Sequence, residues 1–155
     1  MAGASGVGLT KVKAARVKLG TTDYAELAAF RRALREFLHF SEDAAARAGL
    51  SGRQYQAMLF LRGRQGVRAV SIDDLAHELL IKHNSAVGLA DRLVREGLVT
   101  RGRAIDDRRR AELALTPLGR QILTKLASMH RVELRRIGPG LRRFFERMST
   151  PPGAE

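Results

Sequence analysis

The stretch from Ser71 to Leu115 constrains the fold of this chain more than any other. Ser71 ahead of Ile72-Asp73-Asp74 is a helix start: a hydroxyl to cap the first amides, with acids where the helix dipole favours them. Ile72, Leu75, Ala76 and Leu79 then recur on one face. Leu80 and Ile81 make a tight turn, and a second helix runs from about Lys82 to Arg95. Ala86, Leu89, Ala90 and Leu93 face inward on it, which leaves His83, Asn84, Val87, Gly88 and Asp91 outward. Gly97 ends this helix. Val99 and Arg101 begin a strand, and Ala111, Leu113 and Leu115 alternate on a returning one, with the polar run GRAIDDRR between them. Two short helices joined by a turn, then a hairpin with a basic tip, describe a winged helix. Its second helix suits the major groove of DNA and its wing the adjacent minor groove.

Longer helical patterns flank this unit. Asp23 with Glu26 three residues on predicts a helix start, and Leu27, Phe30, Leu34, Phe37, Leu38 and Ala44-Ala45 carry the period to about Arg47, with Gly49 as a stop. Ser51 with Gln54 opens a short helix lined by Tyr55, Met58, Leu59 and Leu61, ending near Gly63 or Gly66. Residues 67–70 are a short β-branched piece. Thr116 and Pro117 stand as N-cap and first residue of a further helix with Leu118, Ile122, Leu126, Met129 and Val132 on one face. Gly138-Pro139-Gly140 predicts a break there, and Leu141, Phe144, Phe145 and Met148 predict a short last helix beyond it. The resulting division is a basic, disordered arm over 1–20, one domain over 21–149 and a tail over 150–155. Within the domain the winged helix covers about 51–116, between helices at about 22–48 and 116–149.

Charge narrows the partners. Lys and Arg number 28 against 16 Asp and Glu, a net charge of +12, most of it Arg and spread over the chain. Such a surplus fits a polyanion, although an Arg-rich solvated surface would look the same. The arm carries Lys11, Lys13, Arg16 and Lys18 and no acid, so it is suited to sequence-independent phosphate contacts. Its basic residues follow its small apolar part, the wrong order for a secretory signal, and no apolar run is long enough to span a membrane. The absence of Cys excludes disulfides and thiolate chemistry. His39, His77, His83 and His130 lack the spacing of a metal site, and no phosphate loop or nucleophile motif marks an enzyme.

SIDDLAHELL, Asp91-Arg92-Leu93, Gly97-Leu98-Val99, Arg101, Asp107-Arg108-Arg109, Leu115-Thr116 and Gly119 follow one another in an ungapped run. From about Val70 to Leu123 this resembles the MarR family of bacterial transcriptional regulators. The resemblance implies a mainly α fold with a small β-hairpin wing. It implies an obligate homodimer formed by the first and last helices, bound to a palindromic operator in double-stranded DNA. It implies a cytoplasmic repressor without a cofactor, released by a small, often aromatic or phenolic ligand. A winged-helix module of low sequence specificity, architectural or protein-binding, is the alternative.

The candidate DNA contacts are Lys82, His83, Asn84, Ser85, Val87, Gly88 and Arg92 on the second helix, and Arg101, Arg103, Arg108 and Arg109 on the wing. Asn84 matches the donor–acceptor pattern of adenine, and Val87 could touch a thymine methyl or be half-buried. Arg109 could enter the minor groove or pair with Asp107, whose expected role is to hold the wing. Tyr24, His39 and Tyr55 are candidate ligand-binding residues, with phenol and imidazole groups suited to a carboxylate or phenol.

Overall fold

The computed structural model describes residues 19–103 and 111–149. Five helices and one hairpin follow in the order α1 (Thr21–Arg47), α2 (Gly52–Arg64), α3 (Ile72–Glu78), α4 (His83–Arg95), β1 (Val99–Arg103), β2 (Ala111–Leu115) and α5 (Pro117–Ser149). The expected mainly α fold with a β-hairpin wing is what forms. Residues 1–18 of the basic arm, the wing residues Asp107, Arg108 and Arg109, and the tail lie outside the described residues.

Local chemistry accounts for most element boundaries. Ser51 and Ser71 each accept the amide three residues on, from Gln54 and Asp74, and the Gln54 and Asp74 side chains return to the cap amides at 2.8 and 2.9 Å. Gly49, Gly66 and Gly97 take φ of 77°, 78° and 72° just past the ends of α1, α2 and α4. Between α3 and α4, Leu80 adopts φ 52°, and Leu80 and Ile81 return their amides to His77 and Ala76. This is the expected tight turn. Residues 67–70 form no strand, but the Val70 carbonyl accepts the Leu113 amide at 2.9 Å, so the segment lies against β2.

Three local readings are corrected. The N-cap of α1 is Gly20, not Asp23; Asp23 sits a turn inside and accepts the Gly20 amide at 2.7 Å. An acid serves a helix start from either position, and two threonines ahead of it let the helix begin earlier. Leu59 is exposed, and Ala57 and Gln54 are buried on α2 instead. The helix break at Gly138-Pro139-Gly140 does not form: α5 runs on to Ser149 with Pro139 inside it. Proline removes one amide donor, but contacts beyond it hold the helix to α1. Phe144 stacks on Phe30 at 4.4 Å, and Arg147 pairs with Glu26 at 2.9 Å.

The long helices α1 and α5 therefore run antiparallel, Glu26 facing Arg147 at one end and Ser41 bonding His130 further along. One core joins them to the winged helix. Met58 of α2, Leu75 of α3, Leu89 and Leu93 of α4, Val99 of β1 and Leu126 of α5 are all essentially inaccessible. That core fixes the height and tilt of α4 on the rest of the chain.

Asp74 offers a first test. The Ser71 backbone amide holds its carboxyl below the usual carboxylate range, aided by the Ser71 hydroxyl and Arg68 and opposed by partial burial. A depressed carboxyl contributes stability above its unfolded-state value and loses it as pH falls through the lower folded value. Asp74→Ala should cost about 1 kcal/mol near neutral pH and make the acid limb of the unfolding curve shallower, read by urea titration between pH 3 and 7.

Candidate nucleic-acid interface

α4 is divided lengthwise. Ala86, Leu89, Ala90 and Leu93 are buried, each at 1% exposure or less. Asn84, Val87, Gly88, Asp91 and Arg95 follow the i, i+3, i+4, i+7 rule on another face, where Asn84, Asp91 and Arg95 are exposed and Val87 and Gly88 half-buried. A Cβ built on Gly88 would meet nothing within 4 Å, so this face is open at its middle.

Its N-terminal turn differs from those of α2 and α3. Lys82 is the N-cap and makes no side-chain capping bond. The first amides of α4 are thus left without a side-chain cap, beside exposed Lys82, His83, Asn84 and Ser85. Uncapped amides, a positive dipole end and a lysine together favour an anion. His83 is oriented from outside the helix: its Nδ1 lies 2.6 Å from an Asp73 carboxylate oxygen of α3.

The hairpin is antiparallel, with Val99 opposite Leu115 and Arg103 opposite Ala111. Arg101, in the middle of β1, reaches back to Asp91 of α4 at 2.9 Å. Both partners are partly exposed, so the pair adds little stability. Its effect is electrostatic: it neutralises the acid on the outer face of α4 and ties the wing root to that helix. Arg92 is exposed, and Arg103 ends β1.

The structure thus gathers Lys82, His83, Asn84, Ser85, Val87, Gly88, Arg92 and Arg101 on α4 and the adjoining strand, with Arg103 leading towards the wing tip. It does not gather Tyr24, His39 and Tyr55. Tyr24 is exposed near the start of α1, and His39, further along α1, is exposed and 3.3 Å from Asp43. Tyr55 is buried against the His130 ring at 4.4 Å, and that burial pushes its phenol pKa upward. A separate apolar groove of about 350 Å³ lies between α1 and α5, lined by Ala44, Ala48, Ile122 and Met129 with the cations Arg47 and Lys125.

Two interface residues escaped the sequence reading of DNA contacts. Asp73 was legible only as a first-turn acid, and Asp91 only as an outward residue and part of a motif. Neither partner, His83 or Arg101, is within one helical turn of its acid, so helix periodicity carries no signal for them.

A helix-turn-helix whose second helix is open along one face, tied by an arginine to a two-stranded wing, is a winged helix. Residues 48–110 match the model of the MarR family. No curated protein matches the sequence. Solved structures of similar fold include a Staphylococcus aureus MepR variant bound to an oligodeoxyribonucleotide, 17% identical with TM-score 0.64 over 84% of this chain and 100% of that one. AbsC of Streptomyces coelicolor, a MarR family transcriptional regulator, is 22% identical with TM-score 0.63, covering 86% of this chain and 85% of that one. CouR of Rhodococcus jostii, bound to p-coumaroyl-CoA, is 20% identical with TM-score 0.64, covering 88% and 100%. Among the described residues there is no cluster of three or more potential metal ligands and no helix long and apolar enough to cross a membrane.

Proposed function

We propose that this chain is a cytoplasmic, homodimeric transcriptional repressor that binds a palindromic operator and is released by a small anionic ligand. The observation that carries the DNA-binding part is the division of α4: one stripe closed into the core, the other open, with an uncapped and basic N-terminal turn. In this reading Asn84 contacts adenine, Lys82 and the first amides hold phosphate, and Val87 and Gly88 allow close approach to the groove floor. Arg101, Arg103, Arg108 and Arg109 serve the wing, with Asp107 holding it. The MepR variant bound to an oligodeoxyribonucleotide supports this use of the fold.

Exposed apolar residues on α1 and α5, among them Leu27, Leu34, Leu38, Val132 and Phe145, support a dimer formed by the two long helices. The groove between them supports the ligand. It is apolar with Arg47 and Lys125 at hand, which suits an amphipathic carboxylate, and CouR with its acyl-CoA gives a precedent in a similar fold. Tyr24, His39 and Tyr55 are not among the residues that line this groove. Val87 and Gly88 at the middle of the open face favour one second reading, a winged-helix module of low sequence specificity, because neither residue reads a base by hydrogen bonding.

The two readings separate in one measurement. A duplex selected from a random library should bind about 10³-fold or more tightly than random duplex at the same salt, and a ratio near one supports the second reading. Asn84→Ala and Arg109→Ala should each cost about 1–3 kcal/mol on the selected duplex. Arg16→Ala should weaken all duplexes alike and lower the salt slope by about one.

A further inference from the structure

Asp73, on α3 beside the N-terminal turn of α4, works against DNA binding on its face. It is an acid with its side chain 83% exposed, beside the turn that would meet phosphate. Its neighbour Asp74 is occupied by the Ser71 amide and hydroxyl and by Arg68. Asp73 instead reaches across the helix-turn-helix, ten residues on, to the Nδ1 of His83 at 2.6 Å. As a stabilising pair this is worth little, because both partners are exposed. Its consequence lies in the imidazole.

A carboxylate accepts only, so Nδ1 carries the proton and the neutral ring presents Nε2 as an acceptor on the side away from Asp73. Among the described residues nothing bonds that Nε2. The acids at the other end of α4 are directed elsewhere: Asp91 to Arg101 of β1, and the C-cap Glu96 to Gln54 of α2. Lys82, the N-cap, is the cation beside His83 in the chain, and Asp73 is the acid that faces its ring.

We propose that Asp73 is a positioning residue for DNA specificity: it locks the tautomer and direction of His83 so that Nε2 meets a base-edge donor, and its charge disfavours indiscriminate phosphate contact. This rests on the DNA-reading function proposed above. Loss of the carboxylate frees the ring to rotate and removes one repulsive charge. Asp73 thereby weakens binding to random DNA while strengthening the choice among sequences.

The test uses the full chain, a library-selected duplex and a random duplex at fixed salt. Asp73→Asn should raise random-duplex affinity about 3-fold and lower the selected-to-random ratio about 5-fold, with the folded circular-dichroism spectrum retained. In a His83→Gln background Asp73→Asn should still raise random affinity but leave the ratio unmoved. Nitrogen chemical shifts of His83 in the DNA-free protein should report the Nδ1–H tautomer in the parent and a mixture in Asp73→Asn. An Asp73→Asn ratio equal to the parent's, or a ratio change that persists in full without His83, overturns the proposal while leaving the DNA-reading function standing. A parent protein that binds no duplex overturns both.

Discussion

Gly119→Ala is expected to destabilise the protein by about 3 kcal/mol, lowering the melting temperature by roughly 10 °C. A Cβ at Gly119 would lie 2.1 Å from the Leu98 carbonyl oxygen, 3.0 Å from its carbon and 3.3 Å from Leu98 Cα. These are backbone atoms, so no side-chain rotation relieves the overlap. The surroundings are also bonded into place. The Leu98 carbonyl accepts the Thr116 amide at 3.0 Å. The Thr116 hydroxyl accepts the Gly119 amide at 2.9 Å and donates to the Gly97 carbonyl at 2.7 Å. This is where the end of α4, the start of β1 and the first turn of α5 meet. Methylation must push α5 away and break the Thr116 bonds, or displace the wing root. Gly88→Ala is the contrasting control: it stands in a helix with open space, and should gain about 0.5–1 kcal/mol. Urea unfolding followed by circular dichroism distinguishes them. A Gly119→Ala protein within about 0.5 kcal/mol of the parent would mean that the joint yields more easily than this packing allows.

The same joint shows what a sequence can and cannot carry. Leu115-Thr116 followed by Gly119 is visible as a motif, and Thr116 before Pro117 is visible as a helix cap, because capping is local chemistry. The need for a glycine at 119 is not local: it comes from Leu98, on a different element. The same division runs through the chain. Ser51, Ser71 and Gly97 announce their helix boundaries because each satisfies backbone groups within a few residues. Pro139 announces a break that does not occur, because the opposing terms come from Phe30 and Glu26 at the far end of the chain. On the interface, the inward and outward stripes of α4 follow from periodicity alone. The acids that tie His83 and Arg101 do not, since each crosses from one element to another. The ligand candidates fared differently: Tyr24, His39 and Tyr55 share a chemistry but not a place, and nothing in their spacing could reveal that.

His130 was legible only as one of several scattered histidines, yet it stands at the junction of α1, α2 and α5. It is 6% exposed. Its Nδ1 lies 2.7 Å from the Leu126 carbonyl, which can only accept, so Nδ1 carries the proton. In the neutral ring Nε2 then accepts the Ser41 hydroxyl at 2.8 Å, across 89 residues of sequence. Tyr55 stacks on the ring at 4.4 Å, and Phe37 and Phe40 meet it edge-on at 6.0 and 5.4 Å. Every hydrogen-bonding atom of the imidazole is used, and three aromatic rings enclose the rest. His130→Ala should therefore cost about 3 kcal/mol, the sum of a cavity, lost ring contacts and a hydroxyl left without its acceptor. His130→Phe restores the rings but not the bond, and should cost about 1–2 kcal/mol, because half-buried Ser41 turns towards water. The alkaline limb gives an independent reading. Burial raises the Tyr55 phenol above its ordinary value, so the folded state holds its proton more tightly than the unfolded chain. That stability is present in full below the unfolded-state value and is lost as pH rises through it towards the folded one. Opening the cage in His130→Ala admits water to Tyr55 and should bring its titration back towards the ordinary phenol value, followed by tyrosinate absorbance. If His130→Ala unfolds at the parent's urea midpoint and Tyr55 titrates unchanged, the histidine is a passenger in this core and the three helices are held together by their apolar contacts alone.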